Sequence, residues 1–350
     1  MKRTSRNIHT AAGKAFTLIE LLVVMAIIAL LVAILLPSLN RAKAMGRATS
    51  CAGNLRTMAL TMAMYTSEYG VYPPSYAYPY NKEGDWDPKN QDVKHPYGYL
   101  HWSHLLLSDS EITEKAFKCP SMQNGGIPRT NPGADASDWE TGQKDQNNNT
   151  GPNKQVSDRQ APRVAYAANA AVIPRNKFTT NLVVDKGGVP GRENRFVAPA
   201  EIPYGNKTIM LTEYLASWRA ITDTDGATVK SHRPISAFYH LSTAQNEYAA
   251  APDNGDFVYG ESTMQDKKYG LQPLAQVMKS TGVIAGSLTT ELNAVGRHHY
   301  GGDDSDYGGT ANFLYCDGHA ELKTVLETLE GREWGHAYYS LKGANKVLNY

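Results

Sequence analysis

The stretch KAFTLIELLVVMAIIALLVAILLP, Lys14 to Pro37, is a nearly unbroken apolar run that carries one acid, Glu20. From Phe16 to Leu36, about 21 residues at ~1.5 Å per residue match the ~30 Å hydrocarbon core of a bilayer, so the segment reads as a transmembrane helix. A carboxylate in hydrocarbon costs roughly 2.5 to 3.5 kcal/mol, which makes an intramembrane acid a functional residue by default. The preceding MKRTSRNIHTAAGKA holds Lys2, Arg3, Arg6 and Lys14 and no acid. By the positive-inside rule the N-terminus then lies in the cytoplasm and everything after the span outside. A secretory signal peptide is the competing reading, because Ala42 to Ala44 (AKA) imitates a small-x-small cleavage site. The run is too long for one, contains Glu20, and is separated from that site by Pro37 and Arg41. A plain uncleaved anchor would explain the span and leave Glu20 without a role.

Past Pro37 the chain continues as a helix. Ala48, Cys51, Ala52, Leu55, Met58, Ala59, Met62 and Tyr65 recur at steps of three and four, one apolar stripe, while Arg47, Asn54, Arg56 and Thr57 fall on other faces. Gly70 followed by Pro73 and Pro74 is a helix stop. Phe16 to Tyr69 is therefore predicted as one long helix of roughly 80 Å, apolar all round in its first half, amphipathic in its second, with Pro37 the expected kink.

The bulk numbers exclude several classes. Formal net charge is +1, and the four basic residues up to Lys14 leave −3 for the remainder, so no nucleic-acid binder is indicated. Three cysteines, Cys51, Cys119 and Cys316, allow one bridge and one leftover thiol, and no C-x-x-C pair marks a zinc ribbon. The 21 tyrosines, many in loops such as VYPPSYAYPYN, suit either packing under long loops or an extracytoplasmic binding surface.

After Gly70 short apolar runs alternate with turn residues. YGYLHWSHLLLSD reads as a short helix or strand, and Gln123 to Pro162 as a long loop or partly disordered insertion. RVAYAANAAVI, NKTIMLTEYLASWRAIT and TANFLYCDGHAELKTVL are the strand candidates. In the last, Asp317-Gly318 is a hairpin dipeptide, because its backbone tolerates positive φ.

Candidate chemistry is sparse. His298, His299, Asp317 and His319 can be drawn as a metal or hydrolase site, yet no H-E-x-x-H, G-x-S-x-G or paired-carboxylate signature accompanies them. The alternative is structural, with a histidine pinning the hairpin and Asp317 capping its turn. Asp303, Asp304 and Asp306 in GGDDSDYGG offer hard oxygen ligands for calcium on a flexible loop, against a solvated acidic loop; the terminal glutamate of an EF-hand is missing. His101 and His104, three apart beside Trp102, lack an identifiable third ligand and read as core or rim residues.

The N-terminal segment resembles the class III signal of type IV pilins and type II secretion pseudopilins: a basic leader, a small residue, then F-T-L-I-E and an apolar helix. That resemblance implies cleavage by a prepilin peptidase between Ala15 and Phe16 and N-methylation of Phe16. Glu20 becomes the fifth mature residue, and Pro37 the twenty-second, where such pilins commonly have proline. Ala15 departs from the family's usual glycine before the cut. The resemblance also implies a role for Glu20: its carboxylate faces the N-terminal amine of a neighbouring subunit's Phe16. At ~4 Å and an effective dielectric of 20 the attraction is about 4 kcal/mol, enough to offset burial and fix axial register.

The C-terminal GRHHYGGDDSDYGGTANFLYCDGHAE is similar to the motif of a pseudopilin-like group in planctomycetes and their relatives, a histidine, nine residues, then Asp-Gly. Here Asp317 follows His299 by eighteen positions, and an inserted acidic, Gly-rich loop accounts for the difference. Further echoes are CAGNLRTMALTMAMYTSEYGVYP and FKCPS around Cys119, so the resemblance covers the first 75 residues, the last 50, and phrases between. Major pseudopilins are similar in having a C-terminal calcium loop. Cys51 and Cys119 would tie the helix to the head in an oxidising compartment, although any of three pairings is open.

The expectation is thus an α+β chain: leader 1–15, transmembrane helix 16–36, amphipathic continuation 37–69, and an extracytoplasmic antiparallel head 70–350 with a polar loop at about 123–162 and a hairpin at about 310–326. The expected function is that of a non-enzymatic pseudopilin-like subunit of a type II secretion or type IV pilus-like filament, in the bacterial inner membrane. Its expected partners are prepilin peptidase and other pilin or pseudopilin subunits, with no cofactor beyond the calcium candidate. A membrane-anchored polysaccharide-binding protein is the alternative, an anchored hydrolase the third reading.

Overall fold

The computed structural model describes residues 17–109, 112–152, 156–183, 191–240, 245–246, 255–259, 270–282, 291–301, 307–343 and 345–348. The chain divides into two compact units, Met1–Ala44 and Met45–Tyr350. Helix α1 (Leu18–Tyr69) is dense in Leu, Ala, Met and Ile, and it continues as one helix past Pro37, although proline has no N–H to donate to the carbonyl one turn back. In the first unit every described side chain from Thr17 to Lys43 is exposed. This helix is long and apolar enough to cross a membrane. Its end follows glycine chemistry: Gly70 takes φ +74° and its N–H donates to the Thr66 carbonyl at 2.9 Å.

In the second unit α1 buries Ala48, Cys51, Leu55, Met58, Thr61, Met62 and Tyr65, the expected stripe with Thr61 added and with Ala52 and Ala59 only half-buried at its edge. Asn54, read as lying on another face, is half-buried and donates to the Lys118 carbonyl at 2.7 Å. One position off the stripe, an amide at the rim reaches a loop carbonyl that apolar neighbours would leave unpaired.

The head is built from short strands: β1 (Tyr76–Ala77), β2 (Leu100–His101), β3 (Ile127–Pro128), β4 (Arg163–Val164), β5 (Tyr166–Ala168), β6 (Ile209–Glu213), β7 (Phe238–His240), β8 (Gln245–Asn246), β9 (Gly255–Tyr259), β10 (Ala311–Tyr315), β11 (Ala320–Lys323) and β12 (Asn345–Val347). Short helices α2 (Trp102–Asp109), α3 (Thr180–Val183), α4 (Leu274–Val277) and α5 (Val325–Glu330) punctuate them. YGYLHWSHLLLSD is thus both strand and helix. The central sheet is antiparallel in the order β11-β10-β6-β5, with Phe313 opposite Thr212 and Leu314 opposite Leu211. A second sheet, β12-β9-β7-β8, includes one parallel pair, β12 with β9. The architecture is α+β.

The two middle strands, IMLTE and ANFLY, are buried at every residue because both faces of the sheet are covered. On one side α1 lies across it: Asn312 donates to the Ala48 carbonyl at 3.2 Å and the Tyr166 hydroxyl to the Cys51 carbonyl at 3.3 Å. On the other, Trp334 meets Phe313 edge-on at 6.3 Å between ring centroids.

The described part of the 123–162 tract is anchored by buried polar bonds. Asp158 accepts from the backbone N–H of Tyr99 at 2.9 Å and of Asn131 at 2.8 Å, and burial pushes its carboxyl up to about 6 against those bonds. The loop tyrosines turn inward too. Tyr72, Tyr76 and Tyr99 are buried, and Tyr99 stacks on His232 at 3.9 Å. Tyr80 of the same stretch is exposed.

Candidate functional site

Two groups of residues bear on function, one in each unit. At the start of α1, the Glu20 carboxylate accepts from the backbone N–H and the hydroxyl of Thr17, at 2.9 Å each, while the Glu20 N–H donates back to the Thr17 hydroxyl at 3.2 Å. T-L-I-E is therefore a capping box, with Thr17 as the cap and Glu20 at the third helical position. It satisfies N–H groups that hydrocarbon would leave orphaned. Ala15 and Phe16 lie outside the described residues, and Pro37 lies within the uninterrupted helix.

In the second unit a buried polar centre sits between α1 and the central sheet. Cys51 of α1 is disulfide-bonded to Cys119 of the loop, with Cα atoms 5.5 Å apart. The Cys119 sulfur lies 3.6 Å from His298 Nε2 and 3.9 Å from His299 Nε2. His299 Nε2 is also 2.9 Å from Glu213 Oε1, both side chains fully buried, and its Nδ1 is 3.3 Å from the Ser121 hydroxyl. The second Glu213 oxygen accepts from the backbone N–H of Asn312 at 2.7 Å. Burial lowers His298 to about 4; the Glu213 charge opposes that shift and His299 adds to it.

The C-terminal motif is thereby divided in two. His298 and His299 point into this centre beside α1, whereas Asp317 and His319 pair at the exposed hairpin tip, Asp317 Oδ1 accepting from the His319 N–H at 3.1 Å and lying 2.6 Å from its Nδ1. Gly318 takes φ +93° there, the Gly318 N–H donates to the Tyr315 carbonyl at 2.9 Å, and the His319 ring stacks on Tyr315 at 4.2 Å. Asp317 caps its turn, and the histidine that steadies the hairpin is His319. The pairing across β10 and β11 covers Ala311 to Lys323, inside the expected 310–326. Asp303, Asp304 and Asp306 lie outside the described residues. His101 is buried against the Ser103 hydroxyl at 2.8 Å, and His104 is half-buried.

Sequence reasoning missed Glu213, Ser121 and Asn312. The available signal was in IMLTEYL, an acid inside a continuous apolar strand, which must find a partner wherever that strand is buried.

No curated protein and no solved structure matches the chain. Residues 12–36 match the model of the prokaryotic N-terminal methylation motif. Together with the long apolar helix that they open, those residues form a signal of the type IV pilin and pseudopilin kind.

Proposed function

We propose that this chain is a filament subunit of a type II secretion or type IV pilus-like system. It is cut by a prepilin peptidase between Ala15 and Phe16 and N-methylated on Phe16. It is then held in the bacterial inner membrane by residues 16–36, with the leader cytoplasmic and the 70–350 head outside. The observation that carries this is the methylation motif at 12–36 opening a helix that continues to Tyr69. An uncleaved anchor needs neither the motif nor Glu20. In assembly the apolar helices bundle, and the Glu20 carboxylate pairs with the Phe16 amine of a neighbour.

The capping box accounts for part of the glutamate's cost. A good cap contributes about 0.5–2 kcal/mol, against roughly 2.5–3.5 kcal/mol for the buried charge, so a further partner is needed in hydrocarbon. The head supplies partner specificity and no turnover in this reading, and Cys51–Cys119 with the bonds from Asn312 and Tyr166 to α1 carbonyls fixes the second half of α1 to it. In a strain lacking prepilin peptidase the chain should stay in the membrane with its leader and vanish from sheared surface fractions. Undiminished surface recovery there would overturn the proposal.

A further inference from the structure

We infer that the dithiol form of this chain holds a zinc(II) ion between Cys51, Cys119, His299 and Glu213, and that the ion and the disulfide are alternative occupants of one buried site. The four ligand atoms all lie within 4.8 Å of one another, and all four residues are buried. They come from the helix, the loop after Phe117, strand β6 and the segment before β10. Ligands bound to zinc at about 2.0–2.3 Å in a tetrahedron sit roughly 3.3–3.8 Å apart. The observed 2.9 Å from His299 Nε2 to Glu213 Oε1 and 3.9 Å from His299 Nε2 to Cys119 Sγ bracket that range, while the two sulfurs, bonded to each other in the disulfide, must part by more than an ångström. Opening the S–S bond separates the two sulfurs in the direction the tetrahedron requires.

The surroundings have the organisation of a ligand shell. His299 turns Nε2 inward while its Nδ1 lies 3.3 Å from the Ser121 hydroxyl, and Glu213 turns Oε1 inward while Oε2 accepts from Asn312 at 2.7 Å. Such outer partners fix the tautomer and direction of metal ligands. His298 Nε2, 3.6 Å from the Cys119 sulfur, is placed to donate to a thiolate. Two thiolates, an imidazole and one carboxylate favour zinc over magnesium or calcium.

Exchange between the two forms balances without a further reagent class. Two zinc-bound thiolates, a small disulfide oxidant and two protons give the protein disulfide, two small thiols and free zinc. In reverse, a dithiol reductant is oxidised to its disulfide, and two protons leave as the protein thiolates bind zinc. Chains made in the reducing cytosol begin with both thiols. The assignment does not depend on filament assembly.

The test uses the full-length chain in detergent, reduced with a phosphine and freed of it, and titrated with zinc against a chromogenic chelator. Cobalt(II) serves as the spectroscopic probe. The reduced chain should bind one zinc and show tetrahedral cobalt bands with thiolate charge transfer, and the oxidised chain should bind at least 100-fold more weakly. Ser121→Ala should weaken binding about 10- to 100-fold, the usual effect of losing an outer partner. His299→Ala should weaken it more. Equal zinc binding by both redox forms, a cobalt spectrum without thiolate bands, or a reduced chain that takes up no zinc would each overturn the inference. So would a reduced wild-type chain that stays unfolded with zinc present.

Discussion

The Glu20 carboxylate accepts both the N–H and the hydroxyl of Thr17 at 2.9 Å, so the acid within the apolar run closes an N-terminal cap in its own chain. Cap and subunit partner are separable. Glu20→Gln keeps an acceptor for the cap and removes the charge. Processing should proceed normally while incorporation into filaments falls by about tenfold or more, tenfold being equivalent to 1.4 kcal/mol. Thr17→Ala, which removes the hydroxyl and leaves the carboxylate, should cost less than that. Quantitative blots of membrane and sheared fractions check both, and equal losses would reduce Glu20 to a cap.

The Cys51–Cys119 bond closes 68 residues of chain and joins α1 to the loop beside the central sheet. Replacing both cysteines with serine should lower stability by about 2–5 kcal/mol. Thermal unfolding without reductant measures this, and an unchanged midpoint would mean the remaining helix–sheet contacts suffice. Leu55→Ala, at a fully buried position of the same face, should cost about 2–5 kcal/mol through transfer and cavity terms.

Acid should destabilise the head through its buried histidines. Burial lowers His101 from 6.5 to about 3, and the nearby His104 adds to the shift; His232 moves in the same direction, again chiefly by burial. A histidine held neutral in the fold takes up its proton only on unfolding. Its contribution is therefore fully present above pH 6.5 and is lost as pH falls toward 3. Melting temperature followed from pH 7 to 4 should decline, and His101→Asn, whose side-chain oxygen can replace Nδ1 as acceptor from Ser103, should flatten part of that decline. A variant with the same slope as the parent would contradict this cause.

Local chemistry explains what was legible beforehand. The stripe from Ala48 to Tyr65, the stop at Gly70 and the Asp317-Gly318 turn depend on residues within a few positions of one another, and each is where periodicity and turn propensity place it. The polar centre depends on contacts between residues far apart in sequence: Glu213 meets His299 across 86 residues and Asn312 meets Ala48 across 264. No periodic pattern encodes such pairs. Grouping His298, His299, Asp317 and His319 as one motif joined side chains that β10 separates, the first two near its start and the last two beyond its end. Asn54 escaped because a stripe drawn from apolar residues omits the amide that serves a loop carbonyl at its edge.

The most direct test of the central claim is the intact mass and N-terminal residue of the chain isolated from native membranes, with and without an active prepilin peptidase. The mature chain should begin at N-methylated Phe16 when the peptidase is active, and the unprocessed chain with its basic leader should be found when it is not. A chain that still begins at Met1 in the presence of active peptidase would contradict it, and would move an anchored binding protein ahead of a filament subunit.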